Sequence, residues 1–373
     1  MIALALTGGG ARGAYQAGVI QGLIEILCAD NRAWPFPIIT GTSAGAINAT
    51  FLATELGRSS IADTSKKLGE LWANLRSSHI YKNDPMTMAA NGLKWLQMLS
   101  AGGLFPSERG FSLLRTDPLR DLLERQFDFP SIAKAVSTGV IKAVGVTAVS
   151  YSTGVGRTFF YAGPEVQPWD RHKREGIPSL ITAEHVLASS AIPILFPPVK
   201  LGQEYYGDGS LRDYTPLSAS IHLGGQKLLV IGVRKGYKNI TPSFGAPGPA
   251  KIFSMILNGL LLDALDLDLE RINRINDTVG KLTALGGGEQ TKLKKLDILT
   301  IAPSEDIGTI ASEHITDLSR SVQYFLSGLG GHKDTSDLAS YILFEGPFTR
   351  RLLELGKKDV HDMKDEIKAH ILG

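Results

Sequence analysis

The sequence predicts an α/β fold whose central sheet is mostly parallel. Two short apolar runs, Ile2 to Leu6 and Phe36 to Thr40, are each followed by a glycine-rich turn and then by a helical pattern. Continuously apolar runs of this length are typical of strands buried on both faces of a parallel sheet. The β–turn–α unit thus occurs twice within the first 60 residues, and this repetition indicates an α/β sheet.

The rest of the chain continues this alternation. Five further strands are predicted over Val140–Val149, Arg157–Tyr161, Val199–Tyr206, Lys227–Val233 and Leu296–Ile301. A helix is predicted to begin at Asp117, an acid followed by proline, and an amphipathic pattern predicts another over 249–276. We expect residues 1–373 to form one domain, with a helical insertion at about 60–135 and a mainly helical C-terminal part at about 250–373.

The composition is that of an ordinary folded protein. Hydrophobic residues make up 43% and charged residues 20% of the 373 residues, which supports a sizeable core and excludes an intrinsically disordered chain. The 39 basic and 37 acidic residues nearly cancel. Because no long run of Lys and Arg occurs either, nucleic acid is not expected as a partner.

Cysteine content and hydropathy bear on the cellular compartment. Cys28 is the only cysteine, so the chain cannot form an internal disulfide and has no thiol cluster for zinc. No apolar stretch is long enough to span a bilayer, and the N-terminal run lacks the basic lead-in of a signal peptide. We therefore expect a cytoplasmic protein.

The strongest local signal is a G-x-S-x-G motif, formed by Gly41, Thr42, Ser43, Ala44 and Gly45. It lies between a predicted strand and a predicted helix, the context in which this motif holds a nucleophilic serine on a sharp turn. The N-terminus of the helix also favours developing negative charge. A serine that merely caps the helix is the alternative, but the strand-to-helix placement favours a nucleophile.

A second glycine-rich turn, Gly8 to Gly13, follows the first strand. The backbone N–H groups of three successive glycines can meet an anionic oxygen, as an oxyanion hole requires. Arg12 in this turn either fixes the loop or adds positive charge beside it.

The same turn also satisfies G-x-G-x-x-G, the fingerprint of dinucleotide-binding proteins. That fingerprint requires an acidic residue at the end of the second strand to hold the ribose. Asp30 lies at about the right distance but precedes this strand, whose end is occupied by Gly41 to Ser43. A nucleotide-binding oxidoreductase is the alternative from a different functional class.

Asp208 lies between two glycines after the predicted strand Val199–Tyr206. Taken alone, an ordinary Asp-Gly turn explains it better. A serine nucleophile needs a base, however, and none of the eight histidines lies in a glycine-rich or strand-end context. A carboxylate can serve where desolvation raises its pKa, and the apolar segment Ala188 to Pro198 could wall such a site.

Together, the glycine loop with Arg12, the G-x-S-x-G motif and the Asp-Gly pair resemble the patatin-like phospholipase family, in particular its bacterial members. The resemblance extends to the segments 188–198, 206–216, 266–276 and 346–356. It implies a three-layer α/β/α sandwich that hydrolyses acyl esters of lipids, such as phospholipids, with no metal or cofactor. The site residues that it implies are Ser43 as nucleophile, Asp208 as base, and Gly8, Gly9, Gly10 and Arg12 as the oxyanion hole.

The sequence departs from the family pattern at one position, and the departure is small. Ser210 follows Asp208 and Gly209 where many members of the family carry Gly or Ala. Acyl transfer to another acceptor is a close variant of hydrolysis, and a catalytically silent lipid-binding protein is a further alternative, against which the presence of both Ser43 and Asp208 argues.

Apolar residues with few charges between them occupy the stretch from Met86 to Phe105. A helix packed against the core is the plainer explanation. The functional alternative is an amphipathic lid that covers the acyl pocket and contacts a lipid surface, with Trp95 suited to the interface. Peripheral membrane association would follow from it.

Overall fold

The computed structural model describes residues 1–29, 32–84, 86–87, 90, 93, 112–212, 215–236, 246–286, 293–329 and 332–373. Within this part of the chain, ten strands form a single central sheet. The strands are β1 (Ile2–Leu6), β2 (Ile38–Thr42), β3 (Ala143–Ser150), β4 (Gly156–Ala162), β5 (Trp169–Arg171), β6 (Arg174–Pro178), β7 (Val199–Leu201), β8 (Glu204–Asp208), β9 (Lys227–Ile231) and β10 (Asp297–Ile301).

Helices alternate with these strands and follow them towards the C-terminus. They are α1 (Gly13–Leu27), α2 (Ala44–Leu56), α3 (Ile61–Ala73), α4 (Ser77–Ile80), α5 (Asp117–Gln126), α6 (Ser131–Ser137), α7 (Ala183–Ser189), α8 (Ser218–His222), α9 (Pro249–Leu261), α10 (Asp263–Ala284), α11 (Ile307–His314), α12 (Arg320–Leu329), α13 (His332–Ile342), α14 (Gly346–Asp362) and α15 (Lys364–Leu372). Three short 3₁₀ turns lie at Gly10–Arg12, Gly209–Leu211 and Ile315–Asp317.

The sheet is parallel through its main run of strands. The order is β10-β9-β1-β2-β3-β4-β6-β5, and the pairs from β10 to β3 are all parallel. The antiparallel pairs are β3–β4, β3–β8, β5–β6 and β7–β8. This arrangement confirms the α/β prediction with a mostly parallel sheet.

Helices cover both faces of the sheet. Successive residues of a strand point to opposite faces, so neighbours along β1 pack against different helices. Along β1, Leu4 and Leu6 belong to the core cluster shared with α1, α2 and α14, whereas Ala3 and Ala5 belong to a second cluster that includes Ile272 of α10. Burial on both faces explains why β1 is a continuous apolar run. The result is a three-layer α/β/α sandwich.

The register of β3 brings the ends of β2 and β8 together. β4 occupies one edge of β3, so β2 and β8 share the other edge. Thr147 pairs with Thr42 at the end of β2, and the next residue, Ala148, pairs with Asp208 at the end of β8. The residue that follows β2 therefore lies beside the last residue of β8.

Two element predictions need correction. The predicted helix over 249–276 is two helices, α9 and α10, separated at Leu262, where Asp263 and Asp266 begin the new helix and both pair with Arg234. The predicted strand over 199–206 is the β7–β8 hairpin, because Gly202 takes a positive φ of 61° and turns the chain. Strands β5 and β6 were not predicted at all.

Helices α3 to α6 fall in the predicted insertion, and β10 is the one strand in the described part of the chain after 249, which otherwise consists of helices and their connections. The larger core cluster contains residues from β1, α5 and α15 alike, and on this ground we propose that the chain folds as one domain.

Most of the 86–105 stretch lies outside the described residues; within it Met86 and Leu93 are exposed. No described helix is long and apolar enough to cross a bilayer.

Candidate active site

Ser43 occupies a strained turn between β2 and α2. Its backbone has φ 57° and ψ −125°, a conformation that costs a non-glycine residue energy and that is characteristic of nucleophile turns. The flanking glycines are needed because the chain passes close by: a Cβ on Gly41 would lie 2.1 Å from the Gly45 carbonyl oxygen, and one on Gly45 would lie 2.2 Å from that of Leu6. Ser43 is almost completely buried.

Two serines at the end of α7 hold the backbone of Ser43. The N–H of Ser43 donates to Ser189 Oγ at 3.0 Å, and Ser189 in turn donates to the carbonyl of Thr147 at 2.6 Å. Ser190 Oγ donates to the Ser43 carbonyl at 3.2 Å. Both serines belong to the segment predicted only as an apolar wall, so their bracing function was missed. Nothing in their local sequence distinguishes them from ordinary helix-terminal serines.

Asp208 is fully buried at the end of β8. Its N–H donates to the Ala191 carbonyl at 2.9 Å, and its Oδ1 accepts from the Ser210 N–H at 2.9 Å. Burial raises the pKa of Asp208 to about 6, although the nearby Ser43 hydroxyl and the hydrogen bonds from Ser210 act in the opposite direction. The structure therefore brings the two predicted residues, Ser43 and Asp208, together.

The second carboxylate oxygen of Asp208 has free acceptor capacity. Among the described residues, no donor with full hydrogen-bond geometry reaches Oδ2. Buried polar atoms are nearly always paired in folded proteins, and in the described part of the chain Asp268 Oδ1 and Asp359 Oδ1 are two further buried carboxylate oxygens without a hydrogen-bond partner. An unpaired carboxylate oxygen beside a serine hydroxyl is what a base requires before it accepts a proton.

The glycine loop adjoins both residues. Gly8 lies between Ser43 and Ser210, since a Cβ added to it would be 3.0 Å from the Ser43 Cβ and 2.6 Å from the Ser210 Oγ. Within the described part of the chain, the N–H groups of Gly8, Gly9 and Gly10 donate to no other residue. They are therefore available to an anionic oxygen formed next to Ser43.

Arg12 is buried, with 3% of its surface exposed. Its Nε donates to Ser340 Oγ at 2.9 Å, its guanidinium lies 3.5 Å from Asp337 Oδ1, and it stacks 4.6 Å above the ring of Tyr341. Of the two roles predicted for Arg12, these contacts favour bracing of the loop. A solvated surface arginine is excluded.

The described histidine side chains that make hydrogen bonds make them away from Ser43 and Asp208. Their partners are Arg76 for His79, Thr182 for His185, Ser218 for His222, Asp317 for His314, Glu25 for His361 and Leu228 for His370. Burial lowers the pKa of His185 to about 4. Among these residues, none is placed to take the serine proton. Asp30, the acid considered for a nucleotide site, lies outside the described residues.

A narrow apolar cavity opens beside Ser43. Its lining includes residues of α2, α4, α5 and the segment after α7, namely Gly10, Ser43, Ala44, Ile47, Ile80, Leu119, Ser190, Ile192, Phe196 and Phe344. Three of these residues, Ser190, Ile192 and Phe196, belong to the segment that the sequence suggested as a wall. Phe344 was not predicted, because it comes from the distant C-terminal part of the chain.

Comparison with solved structures gives distant matches. The chain is similar to VipD from Legionella pneumophila, with 15% identity over 94% of this chain and 66% of that protein and a TM-score of 0.34. For human GIVD cytosolic phospholipase A2 the identity is 12%, over 100% of this chain and 62% of the other, with a TM-score of 0.43. For the type III effector ExoU it is 15%, over 99% and 58%, with a TM-score of 0.30. The chain spans about three fifths of the length of these proteins.

No curated protein matches the sequence. A sequence model described as patatin-like phospholipase matches residues 4–221, a span that is more than half of the chain and that contains the glycine loop, Ser43 and Asp208. The chain therefore belongs to the patatin-like phospholipase family.

Proposed function

We propose that the protein is a lipid acyl hydrolase that cleaves fatty-acyl esters with Ser43 as nucleophile and Asp208 as its base. One observation carries this proposal. The buried carboxylate of Asp208, whose Oδ2 has no hydrogen-bond partner among the described residues, lies beside Ser43, which is held in a strained turn. Desolvation makes this carboxylate a better base than an exposed aspartate. The alternative, a nucleotide-binding oxidoreductase, has no comparable support.

Acylation begins when Asp208 accepts the Ser43 hydroxyl proton. Oγ attacks the ester carbonyl carbon, a C–O bond forms, and the carbonyl oxygen becomes an oxyanion. The free N–H groups of Gly9 and Gly10 stabilise this charge, together with the N-terminus of α2. The tetrahedral species then collapses, the bond to the leaving alcohol breaks, and Asp208 returns its proton to that oxygen.

Deacylation repeats the steps with water. Asp208 accepts a proton from a water molecule as the water oxygen attacks the acyl-serine carbonyl. Collapse breaks the bond to Ser43 Oγ and releases the fatty acid, while the proton passes from Asp208 to Oγ. The site returns to its starting state, and neither a metal nor a cofactor enters the balance.

The cavity beside Ser43 matches an acyl chain in polarity but is small, with a volume of about 10 Å³. Apart from Gly10, Ser43 and Ser190, its lining is entirely apolar, from Ala44 and Ile47 to Phe344. Transfer of a methylene group from water to such a surface contributes about 0.8 kcal/mol. We therefore propose that the carbonyl of a phospholipid or a related ester lies at Ser43, and that the first carbon atoms of its acyl chain enter this cavity.

Labelling with a fluorophosphonate probe tests the proposal. We expect stoichiometric attachment at Ser43, identified by peptide mass spectrometry, and ester hydrolysis that Ser43→Ala and Asp208→Asn each abolish while circular dichroism stays unchanged. His185→Gln and His222→Gln serve as controls and should keep activity. Labelling without hydrolysis of any ester would favour a silent lipid-binding protein. A histidine variant as inactive as Ser43→Ala would replace the dyad with a triad.

Peripheral membrane contact through residues 86–105 remains a proposal from the sequence. A Trp95→Ala, Leu96→Ser variant should lose co-sedimentation with phospholipid vesicles but keep activity on a short soluble ester. Retained binding would show that these residues are not the contact surface. Unfolding of the variant would assign them to the core instead.

A further inference from the structure

Helix α13 lies against the glycine loop although it is far beyond the matched residues 4–221. Gly10 has a positive φ of 58°, and a Cβ added to it would lie only 2.2 Å from the carbonyl oxygen of Tyr341. The loop backbone therefore rests directly on the last turn of α13, and the position of this helix determines how deep the loop can lie.

The side chain of Arg12 joins the loop to the same helix. Three neighbours on one face of α13 contact the Arg12 guanidinium group. Asp337 accepts at 3.5 Å, Ser340 accepts at 2.9 Å, and the ring of Tyr341 lies 4.6 Å away. A buried guanidinium is costly unless its donors are paired. These three contacts therefore fix the Arg12 side chain in one position.

The helix residues are themselves held in place. Ser340 Oγ donates its proton to the Asp337 carbonyl at 2.5 Å, which leaves its lone pairs to accept from Arg12. Tyr341 OH donates to Asn258 Oδ1 of α9 at 2.6 Å. Ser340 and Tyr341 are both fully buried. The acceptor for the Arg12 Nε and the ring next to the guanidinium are thus each held by a hydrogen bond of their own.

We propose that α13 is part of the catalytic apparatus, and that Ser340 is a positioning residue which acts through Arg12 to hold the Gly9 and Gly10 amides where the oxyanion forms. An oxyanion hole stabilises the transition state only if its donors are in place before charge develops. Because Arg12 follows Gly10 by two residues, loss of its anchor loosens the loop. This inference rests on the proposed hydrolysis at Ser43.

Kinetics of a Ser340→Ala variant test it, with Tyr15→Phe as the matched control. The Tyr15 hydroxyl donates to Asp359 at 2.9 Å and joins α1 to α14, so its loss also removes a buried long-range hydrogen bond, but one that involves neither Arg12 nor α13. We expect Ser340→Ala to lower kcat about tenfold with little change in KM, and to slow fluorophosphonate labelling of Ser43 by the same factor. Tyr15→Phe should lower Tm and leave kcat unchanged. Ser340→Thr, which keeps the hydroxyl, should restore kcat.

A double variant separates positioning from general destabilisation. If Ser340 acts only through Arg12, Ser340→Ala should cause no further loss of kcat in an Arg12→Ala background. Additive losses, wild-type kcat in Ser340→Ala, or an equal loss of kcat in Tyr15→Phe would overturn the inference. Absence of hydrolysis and of Ser43 labelling in the wild-type protein would instead refute the proposed function itself.

Discussion

Gly8 lies directly against Ser43: a Cβ built on Gly8 would stand 3.0 Å from the Ser43 Cβ and 3.7 Å from its Oγ. On its other side, the Ser210 Oγ would be 2.6 Å away. Contacts shorter than about 3 Å do not occur at real Cβ atoms, so an added methyl group must displace one of these neighbours. The loop, the nucleophile and the turn after the base are therefore packed as one unit.

We expect Gly8→Ala to lower kcat at least tenfold, because the methyl group displaces Ser210 or tilts Ser43 away from Asp208. A displaced nucleophile should also slow fluorophosphonate labelling. The control is Gly280→Ala, at an exposed position of α10 where a Cβ meets nothing within 4 Å. Alanine there should keep activity and add up to about 1 kcal/mol of stability. Normal turnover by Gly8→Ala would show that the packing is not tight.

Activity should fall as pH decreases through about 6. Burial raises the pKa of Asp208 to about 6, and only the ionised carboxylate can accept the serine proton. The plot of kcat/KM against pH should therefore lose about tenfold per unit below that value. Among the described residues, Tyr151 also faces this carboxylate, and its own pKa is raised by burial and by the charge of Asp208.

The acid limb of this pH profile is the range near pH 6 over which activity falls. Titration of an ordinary histidine would give a limb at a similar pH, so its position alone does not identify the base. Ser210 provides the distinction, since its hydrogen bonds lower the pKa of Asp208. Ser210→Ala should move the limb to higher pH, because the side-chain contribution is lost. A limb that stays in place in Ser210→Ala but moves in a histidine variant would identify a histidine as the base.

The extent to which the sequence predicts the site depends on how local each feature is. The turn at Ser43 follows from adjacent residues, since a strand, a tight turn and a helix succeed one another within β2 and α2. Asp208 is different. Its own neighbours suggest only a turn, and its position beside Ser43 depends on the register by which β3 pairs first with β2 and then with β8.

The brace on the glycine loop could not be predicted from any pattern. Arg12 and Ser340 are 328 residues apart along the chain, and no spacing rule links a loop arginine to a serine in a later helix. The break between α9 and α10 was missed for a related reason. Apolar periodicity runs across Leu262, and the ion pairs of Arg234 with Asp263 and Asp266 become visible only in the folded chain.

Removal of the base should stabilise the protein while it abolishes activity. A carboxyl group whose pKa is raised on folding favours its protonated form in the folded state, so ionisation costs stability above about pH 6. Asp208→Asn removes this cost. At pH 7.5 we expect a gain on the order of 1–3 kcal/mol in the free energy of unfolding. The gain should shrink as pH falls from 6 towards the ordinary aspartate pKa near 4.

Chemical denaturation of both proteins at pH 7.5 and at pH 4.5 measures this difference. Asp359→Asn is the control: its Oδ1 also lacks a hydrogen-bond partner among the described residues, but its Oδ2 accepts from the Tyr15 hydroxyl at 2.9 Å and from the N–H of Ser304 at 3.0 Å. Its replacement should destabilise the protein at neutral pH. If Asp208→Asn were also less stable at pH 7.5, the Asp208 carboxylate would not be held at an energetic cost.

Two leucines of α5 allow the acyl pocket to be tested separately from stability. Leu119 lines the cavity beside Ser43, whereas Leu123, one turn later on the same helix, is equally buried but does not line it. Truncation of either side chain to alanine should cost about 2–5 kcal/mol of stability. Only Leu119→Ala should enlarge the space next to the reacting carbonyl.

We therefore expect Leu119→Ala to shift the preference among p-nitrophenyl esters towards longer or bulkier acyl chains. The ratio of kcat/KM for a long chain to that for a short chain should rise by about 3–10 fold, because each additional buried methylene contributes about 0.8 kcal/mol. Leu123→Ala should leave this ratio unchanged even though its Tm falls similarly. Both enzymes are to be assayed well below the lower of the two Tm values. An equal shift in both variants would mean that helix packing, and not the cavity wall, sets the chain preference, and the acyl chain would have to be placed elsewhere.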